Sequence, residues 1–412
     1  MTASAGLSEP VRPSIFAAMQ APHYKRLWAS GLLWNLTRWQ SVFLCSYLIN
    51  DLTGAPFLVQ MVGSAFFAPM FFGGVIGGII SDRFDRRRTI LTQLVLLIPV
   101  ALLMASLVGS GSVKVWMVYP YMLIVGVGGV VDMTSRRALV YEFVGESRVN
   151  NALALEQLSA TSGNLLGTLL GGTFIALVGI GPAFAGIAAC YALSFVLLLR
   201  VQSPPRLLAK GAGRTAVLDE LRAAVAYVRG SRTLVSILGV TVIVNLFYFS
   251  FMPLVPVFAA RLEVSAFWAG VLASGTSIGS VIGGLMIARG LPFGRGLAYV
   301  GGSALAMTAL FVFAAAPVYL LALVALIVAG TGNAGFATMQ SVLVLVSSTP
   351  EMRGRAMGLL SMAIGALPFS MLILGGFAQV AGPSMAVMGS VVLGVIVMAI
   401  WTRVWPEAHR VA

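Results

Sequence analysis

The sequence predicts an all-α integral membrane protein with twelve transmembrane helices in two six-helix pseudo-repeat bundles. Three observations predict it. Hydrophobic residues make up 59% of the chain and charged residues only 9%, where an ordinary soluble chain carries about 25% charged residues. Apolar runs of about 20 residues, the length that crosses a hydrocarbon core of about 30 Å, follow one another with short links and consume nearly all 412 residues. Landmarks also recur half a chain apart. Gly78 and Asp82-Arg83 close the second run, and Gly284 and Ala288-Arg289 close the eighth. Glu146-Ser147-Arg148 precedes the fifth run, and Glu351-Met352-Arg353 precedes the eleventh.

The charge distribution supports the same plan. A net charge of +13 in a soluble chain would suggest a nucleic-acid partner. Here the excess is explained by topology, because basic residues are retained on the cytoplasmic side. With both termini cytoplasmic, the outer loops hold only Lys114 and Arg261, Arg38 lies within a span, and the rest of the 26 Lys and Arg residues fall on the inner side. The expected setting is a bacterial-type inner membrane with multiple passes, the lipid bilayer as partner, no nucleic acid, and a monomer. Cys45 and Cys190 lie in apolar runs, so no structural disulfide is expected. The first twenty or so residues lack a long apolar core and a cleavage site, so no removable signal peptide is expected.

In order, residues 1–26 form a polar lead-in and 27–200 the N-terminal bundle. Its spans fall at roughly 27–49, 57–80, 89–108, 115–134, 152–178 and 182–199. Span 1 is the least apolar, with Asn35, Arg38 and Gln40 inside it. A polar inner loop is expected after span 4. Residues 201–232 link the bundles. There Leu218, Leu221, Val225 and Val228 recur at helical spacing among basic residues, as in an amphipathic helix on the inner membrane surface. The C-terminal bundle occupies 233–403, with spans at roughly 233–258, 266–288, 297–314, 318–346, 357–380 and 384–402. A tail, 404–412, follows.

Three constellations carry the functional argument. The first is the turn between spans 2 and 3, Gly78-Ile79-Ile80-Ser81-Asp82-Arg83-Phe84-Asp85-Arg86-Arg87-Arg88. Its arginines anchor topology. Asp82 can also face the N-terminus of a helix in the other half, where partial positive charge favours an anion, so a gating role is expected. The second is Gly163-x-x-x-Gly167-Thr168-x-x-Gly171-Gly172 in span 5, a spacing that lines one helix face and admits a close neighbour. The third is the set of ionisable groups in or near the membrane: Arg38, Asp132 and Glu156. Such groups pair or line a water-filled path. Arg38 and Asp132 are expected to share a polar cavity, with Asp132 carrying a coupled proton. The alternative for Asp132 is a structural pair with Arg136, four residues on. Glu156 reads as solvated at a helix end. Asn35, Gln40, Asn164, Asn245, Asn333 and Gln340 are further cavity candidates, each competing with a role in helix–helix hydrogen bonding. Trp34, Phe247, Tyr248, Phe251 and Met252 would suit an adaptable apolar pocket or lipid contact.

Several of these stretches carry a family likeness. The turn Gly78, Asp82, Arg83, Arg86, Arg87 resembles the loop 2–3 signature of the major facilitator superfamily, with Asp85 in place of a glycine. The glycines of span 5 resemble the motif of that superfamily's drug–proton antiporters, with Thr168 in place of a proline. Tyr24-Lys25-Arg26-Leu27-Trp28, Arg38-Trp39-Gln40, Leu52-Thr53-Gly54-Ala55-Pro56 and the segment from Thr349 to Gly358 resemble the branch containing enterobactin exporters and macrolide efflux proteins. The resemblance implies the major facilitator fold and the start of span 11, near Met357 and Gly358, as the partner of Asp82. It also implies proton-driven export of a small, fairly hydrophobic molecule such as a drug, siderophore or secondary metabolite. Import or facilitated movement of a small solute, and a non-transporting scaffold on the same fold, are the alternatives.

Enzymatic readings fail on chemistry, and no cofactor or metal is expected. Gly330-Thr331-Gly332-Asn333-Ala334-Gly335 fits a dinucleotide fingerprint but sits inside an apolar run with no strand–helix unit. Gly275-Thr276-Ser277-Ile278-Gly279 fits a nucleophile elbow. The two histidines, His23 and His409, are at opposite ends of the chain and outside the spans, so no triad base is available. No phosphate-cradling loop followed by Lys-Ser or Lys-Thr is present.

Overall fold

The computed structural model describes residues 16–83, 85–202, 222–223, 225–290, 294–349 and 352–410. Among these, twelve long helices follow the expected order. They are α1 (Tyr24–Thr53), α2 (Pro56–Arg83), α3 (Arg86–Gly109), α4 (Val115–Gly145), α5 (Asn151–Val178) and α6 (Ile180–Leu199). The second set is α7 (Arg232–Arg261), α8 (Ala266–Ala288), α9 (Arg295–Ala315), α10 (Tyr319–Val346), α11 (Arg353–Ala381) and α12 (Pro383–Val404). Ten of them are long and apolar enough to cross a membrane. The other two are α1, with its polar residues, and α2, whose described apolar stretch is Pro56–Phe71. The multi-pass helical architecture is therefore as expected.

Helices in lipid gain nothing from hiding apolar surface from one another, so they associate through close backbone approach and hydrogen bonds. In the first bundle α1 is enclosed by α4, α5 and α6. Ser30 Oγ lies 2.8 Å from Ser194 Oγ, Ser41 Oγ 2.9 Å from the Tyr121 hydroxyl, and Trp34 stacks on Tyr191 at 5.9 Å. Cys45 and Cys190 are free thiols. In the second bundle the Thr241 hydroxyl lies 2.8 Å from the Tyr299 hydroxyl, which sits 2.9 Å from the Ile237 carbonyl oxygen.

Three elements differ from expectation. The polar inner loop after span 4 is helical instead. α4 runs on to Gly145, whose φ of 67° marks the break before α5. The segment stays helical because its charges find partners: Arg136 inside the bundle and Glu142 with Arg86. The expected continuous span 7 unwinds into a 3-10 turn over Phe249–Leu254, where Pro253 has no N–H to donate. Span 11 begins earlier than expected, at Arg353, and breaks between Ile364 and Leu367, just before Pro368. Of the interbundle linker, 203–221 and 224 fall outside the described residues, so most of the expected amphipathic helix does too; 225–230 is helical. The tail is docked: Arg232 Nε donates to Glu407 at 2.7 Å, and the Ala408 amide donates to Ser236 Oγ at 3.0 Å.

Candidate functional site

Small and polar residues build the contact between the bundles. Gly163 and Gly167 of α5 pack on Asn35, Leu36 and Gln40 of α1, and Gly171 packs on Phe43. One residue further, Gly172 turns to the other bundle. A Cβ there would lie 2.8 Å from the Gly270 Cα of α8, so the two backbones are in contact. Thr168, in the slot where the resemblance has proline, donates its hydroxyl to the Asn164 carbonyl at 3.0 Å. Back-bonding of that kind bends a helix slightly, a milder effect than a proline kink.

The second contact is between α2 and the irregular stretches of α7 and α11. Gln60 Nε2 donates to the Ser250 carbonyl at 2.9 Å, and Ser64 Oγ donates to the Pro368 carbonyl at 3.1 Å. The Phe57 amide donates to Gln379 at 3.4 Å. Broken helices at bundle interfaces expose such carbonyls. Among the described residues, the hydrogen bonds joining the bundles all lie in the half of α2 remote from the chain termini. The bundles are thus joined at the end far from the termini, and Arg137, nearer the other end on α4, is exposed.

Between the bundles lies a small, partly open cavity. Trp39, Val42 and Phe43 of α1 form one wall, Asn164 and Thr168 of α5 another. Phe251 and Met252 of α7, Thr276 of α8 and Leu326 of α10 complete it. The lining is mostly apolar with a few polar atoms, as in small-molecule sites.

Asp132 lies within electrostatic reach of Arg38 and takes the alternative partner expected for it, Arg136. Arg136 holds it in a bidentate grip, Nε to Oδ2 at 2.9 Å and an Nη to Oδ1 at 2.6 Å, with both side chains about 4–5% exposed. The reason is geometric: residues four apart share one helix face. A further Arg136 Nη donates to the Leu27 carbonyl at 2.8 Å, tying α4 to α1. Glu156 is not the solvated helix-end group expected. Its Oε1 is enclosed with no hydrogen-bond partner, and the Tyr24 side chain lies beside it. Arg38 is half-buried, its Nε enclosed and unpartnered, its guanidinium 5.2 Å from the Trp39 ring centre.

Among the other polar candidates, Asn164 lines the cavity. Asn35 donates to Ser159 at 3.2 Å, Asn245 to the Thr241 carbonyl at 2.9 Å, and Gln340 to the Thr241 hydroxyl at 3.3 Å. The bonds of Asn35 and Gln340 join neighbouring helices, and that of Asn245 stays within α7. Gln40 Nε2 and Asn333 Oδ1 are enclosed without partners. In the turn, Gly78, Asp82 and Arg83 sit on the last turns of α2, where side chains lie outside the described residues, so the expected gate is not described. Arg86 pairs with Glu142, and Arg87 donates to the carbonyls of Leu198 and Leu199 at 3.0 and 2.9 Å, so both bind within the first bundle. Asp85, the departure from the resembled signature, caps α3 by accepting the Arg88 amide at 2.7 Å, a standard N-cap role. Sequence reasoning missed Gln60 and Ser64. A polar residue within span 2, seven to eleven residues before Phe71, was the available signal.

The two enzyme-like motifs are the two sides of one helix–helix contact. Gly279 of α8 meets Ile327 and Thr331 of α10, and Gly330 of α10 meets Thr276 of α8. Small residues there serve packing, and Ser277 is buried.

Comparisons with known proteins agree with this architecture. The family model for transmembrane secretion effectors, of the MFS_3 group, matches residues 13–409. The chain is 27% identical to the enterobactin exporter EntS of Citrobacter koseri over 369 residues, covering 82% of this chain and 81% of that one. It is 26% identical to the Salmonella typhimurium EntS over 366 residues, covering 83% and 82%. Among solved structures, a bacterial homologue of the human lysosomal transporter Spinster, inward-facing and unoccupied, matches with a TM-score of 0.72 at 15% identity, covering 94% of this chain and 98% of that one. A D-xylose–proton symporter matches with a TM-score of 0.72 at 17% identity, covering 97% and 100%. At such identities the structural likeness is one of fold. The chain is a multi-pass membrane transporter, and it belongs to the transmembrane secretion effector family of the major facilitator superfamily.

Proposed function

We propose that this transporter exports a small, fairly hydrophobic molecule, driven by inward proton movement through alternating access of the two bundles. The observation that carries the reading is the cavity between the bundles, lined by residues of α1 and α5 on one side and of α7, α8 and α10 on the other, apolar with a few polar atoms. The EntS relatives are exporters by name, which supports the direction. The charge asymmetry of the sequence places the terminus-bearing end in the cytoplasm. On that orientation the hydrogen bonds between α2 and the second bundle lie on the outer side, which supports a state that loads from within. The protein works as a monomer in the inner membrane of a bacterial-type cell.

Proton coupling belongs to the first bundle. Asp132 has both oxygens engaged by Arg136, so protonating it would break a buried ion pair. Glu156 has an enclosed, unpartnered oxygen that a proton would satisfy. We assign the exchangeable proton to Glu156 and a structural counter-ion role to Asp132. Asp82 is retained as the gating residue at the end of α2.

The test is cellular accumulation of a panel of antibiotics, dyes and siderophores in cells expressing wild type or Glu156→Gln, with and without a protonophore. Lower accumulation in wild type, reversed about tenfold or more by the protonophore and by Glu156→Gln at equal membrane abundance, is expected. Raised accumulation would turn the direction round to import. Protonophore-insensitive export would remove the proton.

A further inference from the structure

The cavity between the bundles carries no charge of its own. Among the described residues, none that lines it is ionisable. Arg38 stands one residue before the lining Trp39, with its guanidinium over that ring, and the charge of Asp132 acts on it. Asp132 is itself gripped by Arg136, and Glu156 lies beside Tyr24. The charges of the first bundle thus interact with one another outside the lining. An ion brought into the cavity would leave water with no counter-charge to meet it, which is costly.

The polar part of the lining is neutral and partly unmet. Ser46 of α1 is 1% exposed, and its Oγ has no hydrogen-bond partner. Serine and threonine hydroxyls inside helices can bond a carbonyl one turn back, as Ser64, Ser303 and Thr331 do at 3.1, 2.7 and 3.0 Å. Ser46 does not, so its hydroxyl can turn to an incoming group without breaking a bond. Asn164 of α5 lines the same cavity, and among the described residues its side chain makes no hydrogen bond. A hydroxyl and a carboxamide each donate and accept. Sheltered from water, each gains free energy when a partner arrives. The same lining holds Trp39, Phe43, Phe251 and Met252, a flat and adaptable apolar surface.

Resting on the exporter reading above, we infer that the cavity selects uncharged ring compounds bearing a carbonyl or hydroxyl group, with Ser46 and Asn164 as the specificity-determining residues. The ring lies against the aromatic and methionine surface, and its oxygen takes a hydrogen bond from Ser46 or Asn164. An ion of the same shape loses its hydration without gaining an ion pair. A hydrocarbon of the same shape leaves both polar side chains unmet.

Binding to the purified protein in lipid nanodiscs, with empty nanodiscs subtracted, tests this with four probes built on one naphthalene ring. They are the ketone 2-acetonaphthone, the hydrocarbon 2-ethylnaphthalene, the anion 2-naphthoate and the cation 2-naphthylmethylammonium. In calorimetric titrations wild type is expected to bind the ketone about fivefold more tightly than the hydrocarbon, the difference one hydrogen bond makes. It should bind the ketone at least about tenfold more tightly than either ion. At least one of Ser46→Ala and Asn164→Ala should bring the ketone-to-hydrocarbon ratio below about twofold. Both should leave the probe-free thermal midpoint unchanged, because neither side chain bonds to the described residues. An unchanged ratio in both variants would overturn the inference. So would an ion that binds as tightly as the ketone, or binding of none of the four. Binding is read without transport, so each of these results leaves the exporter reading standing, and the accumulation assay decides that reading separately. If one variant fails to fold, the other decides; if both fail, the wild-type ranking of the four probes decides.

Discussion

The two bundles share a plan and differ in what fills them. Among the described residues, the interior of the first bundle holds Arg38, Asp132, Arg136 and Glu156. The interior of the second holds Thr241, Asn245, Tyr299, Asn333 and Gln340, all neutral, on a framework of backbone contacts at Gly279, Gly302, Gly330 and Gly332. The difference teaches a division of labour. Buried charge is concentrated in one half, where ionic and hydrogen-bond partners are arranged around it. The other half is a close-packed body against which the first can move. A rocking mechanism needs rigidity within each bundle and weak, separable contact between them. Among the described residues the hydrogen bonds between bundles are few, but α5 packs closely along α8, and α2 along α11 and the irregular part of α7, where Gly63 meets Pro253 and Met371 and Gly375 meets Gln60.

The largest effect is expected from the first bundle's ion pair. Arg136→Met strands Asp132 as a buried, unpaired charge, a loss of about 3–5 kcal/mol. Most of the folded protein should disappear from detergent extracts. The double change Asp132→Leu with Arg136→Met should recover it. A double variant no better than the single one would break the view of the pair as a self-contained strut.

Glycines sharpen the contrast between packing within a bundle and packing between bundles. Gly279→Ala drives a methyl group into the α10 backbone at Ile327 and Thr331 in every conformation, at about 1–3 kcal/mol, and should lower the thermal midpoint. Gly172→Ala meets Gly270 only while the far end is closed. Its penalty, of similar size, falls on one state. The thermal midpoint should change little, while a cysteine placed near Gly270 becomes more reactive to a membrane-impermeant thiol reagent from the far side. Equal loss of stability in both variants would remove the distinction.

The smallest effect belongs to the single hydrogen bonds between bundles. Gln60→Leu removes the bond to the Ser250 carbonyl, about 0.5–1.5 kcal/mol. A shift of a few-fold in far-side accessibility is expected, with thermal stability nearly unchanged. No shift would place the closure energy entirely in apolar contact along α2 and α11.

The order of the long helices and the multi-pass plan were legible in the sequence because hydrocarbon imposes its length requirement on each segment separately. The tight face of α5 was legible for a similar reason: glycines four apart line one side of any helix. Breaks were less visible. Pro253 and Pro368 sit in apolar runs that read as continuous. Whether a proline interrupts a helix depends on what satisfies the freed carbonyls, here Gln60 and Ser64 from another bundle. The loop expected after span 4 was misjudged because Glu142 looked like a surface charge, when it pairs with Arg86 of α3.

By itself, then, the sequence determined that the chain is helical, crosses a membrane many times, carries its basic residues mostly at one end, and is built from two related halves. Those properties follow from composition and spacing along one dimension. Only the tertiary structure decided that Asp132 takes Arg136 as its hydrogen-bonded partner, that Gly172 alone of its four glycines crosses to the other bundle, and that Glu156 is enclosed. Partnership depends on which faces of different helices meet and at what depth, and one chain's spacing does not encode the rotation of its neighbours.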